Sequence, residues 1–204
     1  MKITLLLVLA LALCWAAPPA SRAHAAPGDV INLPPPQKTG GVPVLDAIAR
    51  RKSFRAFQGT SLSQEQLSTI LWTAFGVTRD DGRRTIPSFH GRQELAVYAV
   101  LGTGVYLYDA KSNNLTRVLQ GDRTMDYGGA PLTLLYAGPS QNGQVGGFHA
   151  GSAYQGVALY CASEGLANVV KVTGIDVLIN ELKTENDWPV LIVQSVGLPA
   201  GEGF

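Results

Sequence analysis

Two short segments concentrate the side chains able to do chemistry. In the first, Arg50-Arg51-Lys52-Ser53-Phe54-Arg55, four cations surround one hydroxyl. Guanidinium forks and a serine hydroxyl can make charge-assisted hydrogen bonds to phosphate oxygens, so the run suits an anion site. It equally suits a solvated basic surface that holds no ligand. The second segment, Pro87-Ser88-Phe89-His90-Gly91-Arg92-Gln93, lies just before a predicted strand, where a rigid sheet commonly positions binding loops. Gln93 offers a donor and an acceptor together. Ser88 and His90 invite a nucleophile-and-base reading, but no nucleophile-elbow glycines surround the serine and no acid partner is evident. Metal ligation fares no better. His90 and His149, with one cysteine beyond the N-terminal region, have no ligand spacing, and each histidine reads as an ordinary loop or helix-start residue. The glycines of Gly143-Gln144-Val145-Gly146-Gly147 lack the spacing and flanking elements of a phosphate loop.

The elements that must position these groups follow from apolar period and punctuation. Pro43 suits a first helical turn, and Val44, Leu45 and Ile48 put an apolar stripe on a short helix reaching Arg50 or Arg51. Ser63 with Gln66 three residues on is a capping-box pattern. After it Leu67, Ile70, Leu71, Ala74 and Phe75 repeat at helical spacing until Gly76 stops them. Ala96 to Leu101 and Val105 to Tyr108 read as strands joined by a tight hairpin, Leu132 to Ala137 as another, and Val190 to Val196 as a closing buried strand. Ala153, Val157, Tyr160 and Cys161 mark a helix face that Gly165 can end. Ala167 to Thr173 reads as strand, and Ile175, Leu178, Ile179 and Leu182 predict a further short helix. Helices and strands mix without strict alternation, which predicts an α+β domain with helices flanking a mixed, mostly antiparallel sheet.

At the N-terminus, Lys2 precedes the apolar run Ile3 to Leu13 and small residues ending in Ala23-His24-Ala25. These features predict a signal peptide over residues 1–25 and a periplasmic or secreted protein, since the apolar run is shorter than the roughly 20 residues of a bilayer span. Leu13 matches poorly the small residue that lipid attachment at Cys14 requires. Cleavage leaves 14 basic and 15 acidic residues and the single cysteine Cys161, so the mature chain forms no internal disulfide and carries no electrostatic footprint for nucleic acid. A small molecule or another protein is the expected partner. Residues 26–42, rich in Pro and Gly, read as an extended arm or a disordered leader, and residues 43–204 as one domain.

In order and spacing, these pieces resemble the nitroreductase family, in the branch that includes azoline-forming dehydrogenases. INLPPP with AIARRKSFRAF resembles that branch's opening, and SLSQEQLSTILWTAFGVT its next helix. RTIPSFHGRQELAVYAV followed by GVYLYD resembles its loop and strands, HAGSAYQGVALYCASEGLANV its long helix, and VQSVGLP its closing strand. The resemblance implies an FMN-dependent oxidoreductase of ping-pong type, passing two electrons to an electron-poor acceptor such as a nitro compound or quinone. It also implies an intertwined homodimer with flavin at the interface. Arg51 and Ser53 carry over as ligands of the FMN phosphate and ribityl chain, with Lys52 nearby. Arg55 carries over as the cation beside the flavin edge that gains negative charge on reduction, and Ser88 and Gln93 as loop residues approaching the ring. Gly91 stands where many members have Asn, and residues 200–204 lack the basic residue that members place after the final Gly-x-Pro. The short segment between Tyr136 and His149 implies that the lid of larger relatives is missing. The alternative is a non-enzymatic protein that keeps the fold and binds flavin or another phosphate-bearing ligand.

Overall fold

Ser63 caps its helix as the sequence predicts: its hydroxyl accepts from the Gln66 amide at 3.1 Å while Gln66 Oε1 accepts from the Ser63 amide at 3.0 Å. This reciprocal cap, with Gly76 at the other end, defines Gln64–Phe75 in the computed structural model, which describes residues 28–140 and 143–201. The expected signal peptide and Cys14 lie outside the described residues.

Seven strands, β1 (Val30–Asn32), β2 (Ala96–Leu101), β3 (Gly104–Asp109), β4 (Asn114–Gln120), β5 (Leu132–Ala137), β6 (Ala167–Lys171) and β7 (Val190–Gly197), form one sheet in the order β1-β4-β3-β2-β5-β7-β6. Every pairing among them is antiparallel, which sharpens the expectation of a mixed sheet. Three helices complete the fold: α1 (Val44–Arg50), α2 (Gln64–Phe75) and α3 (Gly143–Glu164). None of the described helices is long and apolar enough to cross a membrane.

The central strands are continuous apolar runs because both of their faces are covered. Val97, Ala99, Leu132, Leu134 and Tyr136 point to a core shared with α2 and α3. The alternate residues Tyr98, Val100, Leu135 and Ala137 point to a second core closed by Tyr127, Leu178 and Leu182. The segment over that second face corrects one expectation. Ile175 to Leu182 forms tight turns instead of a helix, with Ile179 bonded to Asp176 and Glu181 to Leu178 across three residues. Only Leu178 and Leu182 of the predicted stripe are buried, and Ile179 is 72% exposed. So short a segment does not sustain a helix without a packed face.

Two strands escaped the sequence reading. Part of the arm is β1, pairing Val30 with Thr116 and Asn32 with Asn114 of the unpredicted β4. The rest of the arm is stitched down by Ser68 Oγ, which donates to the Pro34 carbonyl at 2.6 Å, and by Ser163 Oγ, which accepts from the Val42 amide at 2.9 Å. In α1 the apolar stripe faces outward: Val44 is 62%, Leu45 74% and Ile48 51% exposed, and only Ala47 is buried.

The second core predicts an alkaline transition. Burial pushes the Tyr98 and Tyr127 hydroxyls up to about 12, and Tyr98 Oη accepts from the Glu185 amide at 2.7 Å. Because these folded values lie above the unfolded value of about 10, the stability they contribute is complete below about pH 10 and is lost as pH rises through about 12. Urea midpoints should fall across that interval while tyrosinate absorbance appears late. Full tyrosine ionisation near pH 10 in the folded protein would contradict this.

Candidate functional site

The basic run begins where α1 ends, with the Arg51 amide donating to Ala47 at 2.9 Å in the last turn. Beyond it the chain is held by backbone bonds on two sides. The Phe54 amide donates to the Asn168 carbonyl of β6 at 2.8 Å, and the Ala200 amide donates to Ala56 at 3.0 Å. The Gln58 amide donates to Leu198 at 2.9 Å, and its side chain to the Pro199 carbonyl at 2.8 Å. A rigid backbone therefore presents exposed side chains at Arg51, Lys52, Ser53 and Arg55. The Lys52 ammonium lies 5.4 Å from the Phe54 ring centre. Among the described residues, no ion pair or side-chain hydrogen bond occupies Arg51, Ser53 or Arg55. Unused donors of this chemistry on a pinned backbone fit a phosphate and its polyol chain.

The second loop is positioned differently. Ser88 precedes a short 3₁₀ turn, Phe89–Gly91, in which His90 (φ 53°) and Gly91 (φ 75°) both take left-handed backbone. His149 of α3, 2% exposed, reaches under this turn: its Nε2 accepts from the Phe89 amide at 3.2 Å and its Nδ1 lies 3.3 Å from the Glu94 carbonyl. Ser88, Phe89, Phe148, His149 and Ser152 line a cleft of about 240 Å³, with Phe89 51% and Phe148 61% exposed at its mouth. Pro87 and Ser152 are shared with a neighbouring cleft of about 330 Å³ that runs toward Trp72 and Thr85.

Gln93 is placed beside this loop with its amide engaged inside the chain. Its Oε1 accepts from Arg84 Nε at 2.9 Å, and its Nε2 donates to the Gly82 carbonyl at 3.1 Å. Arg84 also stacks on Phe75, 4.7 Å from the ring centre. Burial pulls the Arg84 guanidinium below its ordinary value, opposed by the neighbouring Tyr108 and Asp109. In this conformation Gln93 and Arg84 brace the turn leading into the Ser88 loop.

Arg51, Ser53 and Arg55 thus lie on one loop pinned to β6 and the closing segment, while Ser88 belongs to a second loop held against α3. Sequence reasoning missed His149, Asn168 and Arg84. His149 carried a signal, since it stands at helical spacing ahead of Ala153, Val157 and Cys161 and so falls on the buried face. It is not the helix-start residue that its sequence context suggested.

The model of the nitroreductase family matches residues 48–197, a span that includes both loops and every strand but β1. The chain belongs to the nitroreductase family. Among solved nitroreductase-like structures, one from Ralstonia eutropha JMP134 assigned as a nitroreductase is 31% identical, covering 86% of this chain and 94% of that one with a TM-score of 0.78. The Escherichia coli microcin synthetase McbBCD complex, solved with truncated pro-MccB17 bound, shares the fold at 23% identity and a TM-score of 0.62, covering 74% of this chain and 70% of that one. A nitroreductase assignment from Desulfovibrio desulfuricans, solved in complex with FMN, shares the fold at 20% identity and a TM-score of 0.58, covering 81% and 91%.

Proposed function

We propose that this nitroreductase-family protein is an FMN-dependent oxidoreductase that works by ping-pong transfer of two electrons to an electron-poor small molecule, a nitro compound or quinone. The observation that carries the reading is the basic loop: Arg51, Ser53 and Arg55 are exposed and without side-chain partners among the described residues, on a backbone pinned to β6 and to residues 198–200. FMN, when bound, supplies the redox chemistry. Arg51 and Ser53 hold the phosphate and ribityl chain, with Lys52 adding charge nearby. Arg55 would be the cation beside the ring edge, where a fixed positive charge would favour the negative charge of the reduced state. Ser88 and the backbone around it would approach the ring, and Gln93 braces that loop. The fold shared with the FMN-bound Desulfovibrio desulfuricans protein supports the cofactor, and the fold shared with the microcin synthetase supports the relation to azoline-forming dehydrogenases.

The same reading includes a homodimer and export. Val44, Leu45 and Ile48 expose an apolar stripe one turn ahead of the basic loop, and a second copy that covered it would bring its own groups toward the flavin. The N-terminal pattern of residues 1–25 supports a periplasmic or secreted location.

The test is the absorbance spectrum of the mature protein purified from the exported fraction, followed by reduction with dithionite and reoxidation by a nitroaromatic or quinone. The expected result is a yellow protein that cycles. Bound flavin that is never turned over would favour a binding protein, and colourless protein that takes up no added FMN would overturn both readings.

A further inference from the structure

The Ser88 loop is held in a costly shape. His90 and Gly91 take left-handed backbone in succession, and for a side-chain-bearing residue such as His90 that region is disfavoured and persists only when surrounding contacts impose it. Besides its own backbone bonds from Gly91 to Ser88 and from Arg92 to Phe89, the loop is held by the imidazole of His149, which touches it at Phe89 and again at Glu94. To accept the Phe89 amide, Nε2 must carry no proton. The neutral ring then carries its proton on Nδ1 and donates it to the Glu94 carbonyl. Protonation of Nε2 would set one N–H against another, in a site 2% exposed where water cannot compensate.

We propose that His149 is a positioning residue that holds the Ser88 loop for the flavin ring only as the neutral Nδ1–H tautomer, and that its protonation releases the loop. The use of the loop for flavin rests on the function proposed above; the clamp itself does not. The loop itself carries titratable and charged groups: exposed His90, and Arg92 and Glu94 ion-paired at 3.4 Å. Its α3 neighbours at the cleft, Phe148 and Ser152, carry no charge.

Two measurements test this. In FMN-free protein, imidazole nitrogen NMR should report the Nδ1–H tautomer, and protection of the Phe89 amide from exchange should collapse in step with protonation of the His149 ring as the same spectra report it. FMN titrations with the ring neutral and with the ring protonated, as NMR reports it, should show wild type losing about tenfold more affinity on acidification than His149→Gln, whose amide accepts and donates at every pH. Comparison with that variant removes the contribution of the titrating FMN phosphate. An Nε2–H tautomer, Phe89 protection that survives protonation, or equal acid losses in both proteins would overturn the proposal. A clamp that behaves as expected in protein binding no FMN at any pH would uphold the clamp and overturn the flavin reading alone.

Discussion

Arg51→Ala is expected to weaken FMN binding about thirtyfold, whereas Arg55→Ala leaves affinity within a few-fold and slows reduction of bound flavin about a hundredfold. The difference follows from where charge resides. A phosphate is anionic in both oxidation states, so a guanidinium on it contributes equally before and after reduction and appears as affinity. A cation at the ring edge meets added negative charge only after electrons arrive and so appears in the reduction rate. The loop tolerates both substitutions because its position is set by the Phe54, Gln58 and Ala200 amides, which neither change touches. Arg50→Ala, at an exposed position in the last turn of α1, is the control for general loss of positive charge. Fluorescence titration with FMN and stopped-flow reduction read the two effects separately. Equal, negligible effects from both variants would refute the assignment of the loop.

What was legible in the sequence was local. The Ser63–Gln66 box and Gly76 delimit α2 without reference to the rest of the chain, and the β-branched and aromatic runs flanking Gly102-Thr103 mark the β2–β3 hairpin, in which Leu101 faces Gly104. The unread parts depend on distant partners. β1 is three residues long and is a strand only because β4 pairs with it, and β4, next to the edge, mixes polar and apolar side chains. The stripe Ile175 to Leu182 has helical spacing, yet the second core needs only Leu178 and Leu182, so packing overrode the pattern. In the site the basic run showed its chemistry but not its anchor, because the Asn168 carbonyl that fixes Phe54 is a backbone group that no side-chain pattern announces. His149 illustrates the converse: its spacing was visible, but its role depends on a loop 60 residues away.

That anchor leads into the interior, where Gln194→Leu is expected to cost about 3 kcal/mol of stability. Gln194 is fully buried between the sheet and α3, and its amide is satisfied at both ends. Oε1 accepts from Tyr136 Oη at 2.6 Å, while Nε2 donates to the Tyr154 carbonyl at 3.2 Å and to Asn168 Oδ1 at 3.3 Å. Leucine fills similar space but strands the Tyr136 hydroxyl, whose burial already drives its ionisation well above the ordinary range, and leaves Asn168 Oδ1 without this donor. Adding Tyr136→Phe to the leucine variant removes one stranded hydroxyl and should recover about 1 kcal/mol, a non-additivity diagnostic of a shared bond. Urea unfolding should show lower midpoints with unchanged slope, and a single-variant cost under about 1 kcal/mol would contradict the network. Because Asn168 also supplies the carbonyl that holds Phe54, the leucine variant should weaken FMN binding under conditions where it remains folded, whereas a core truncation remote from β6, such as Leu115→Ala, should lower stability and leave FMN affinity in place.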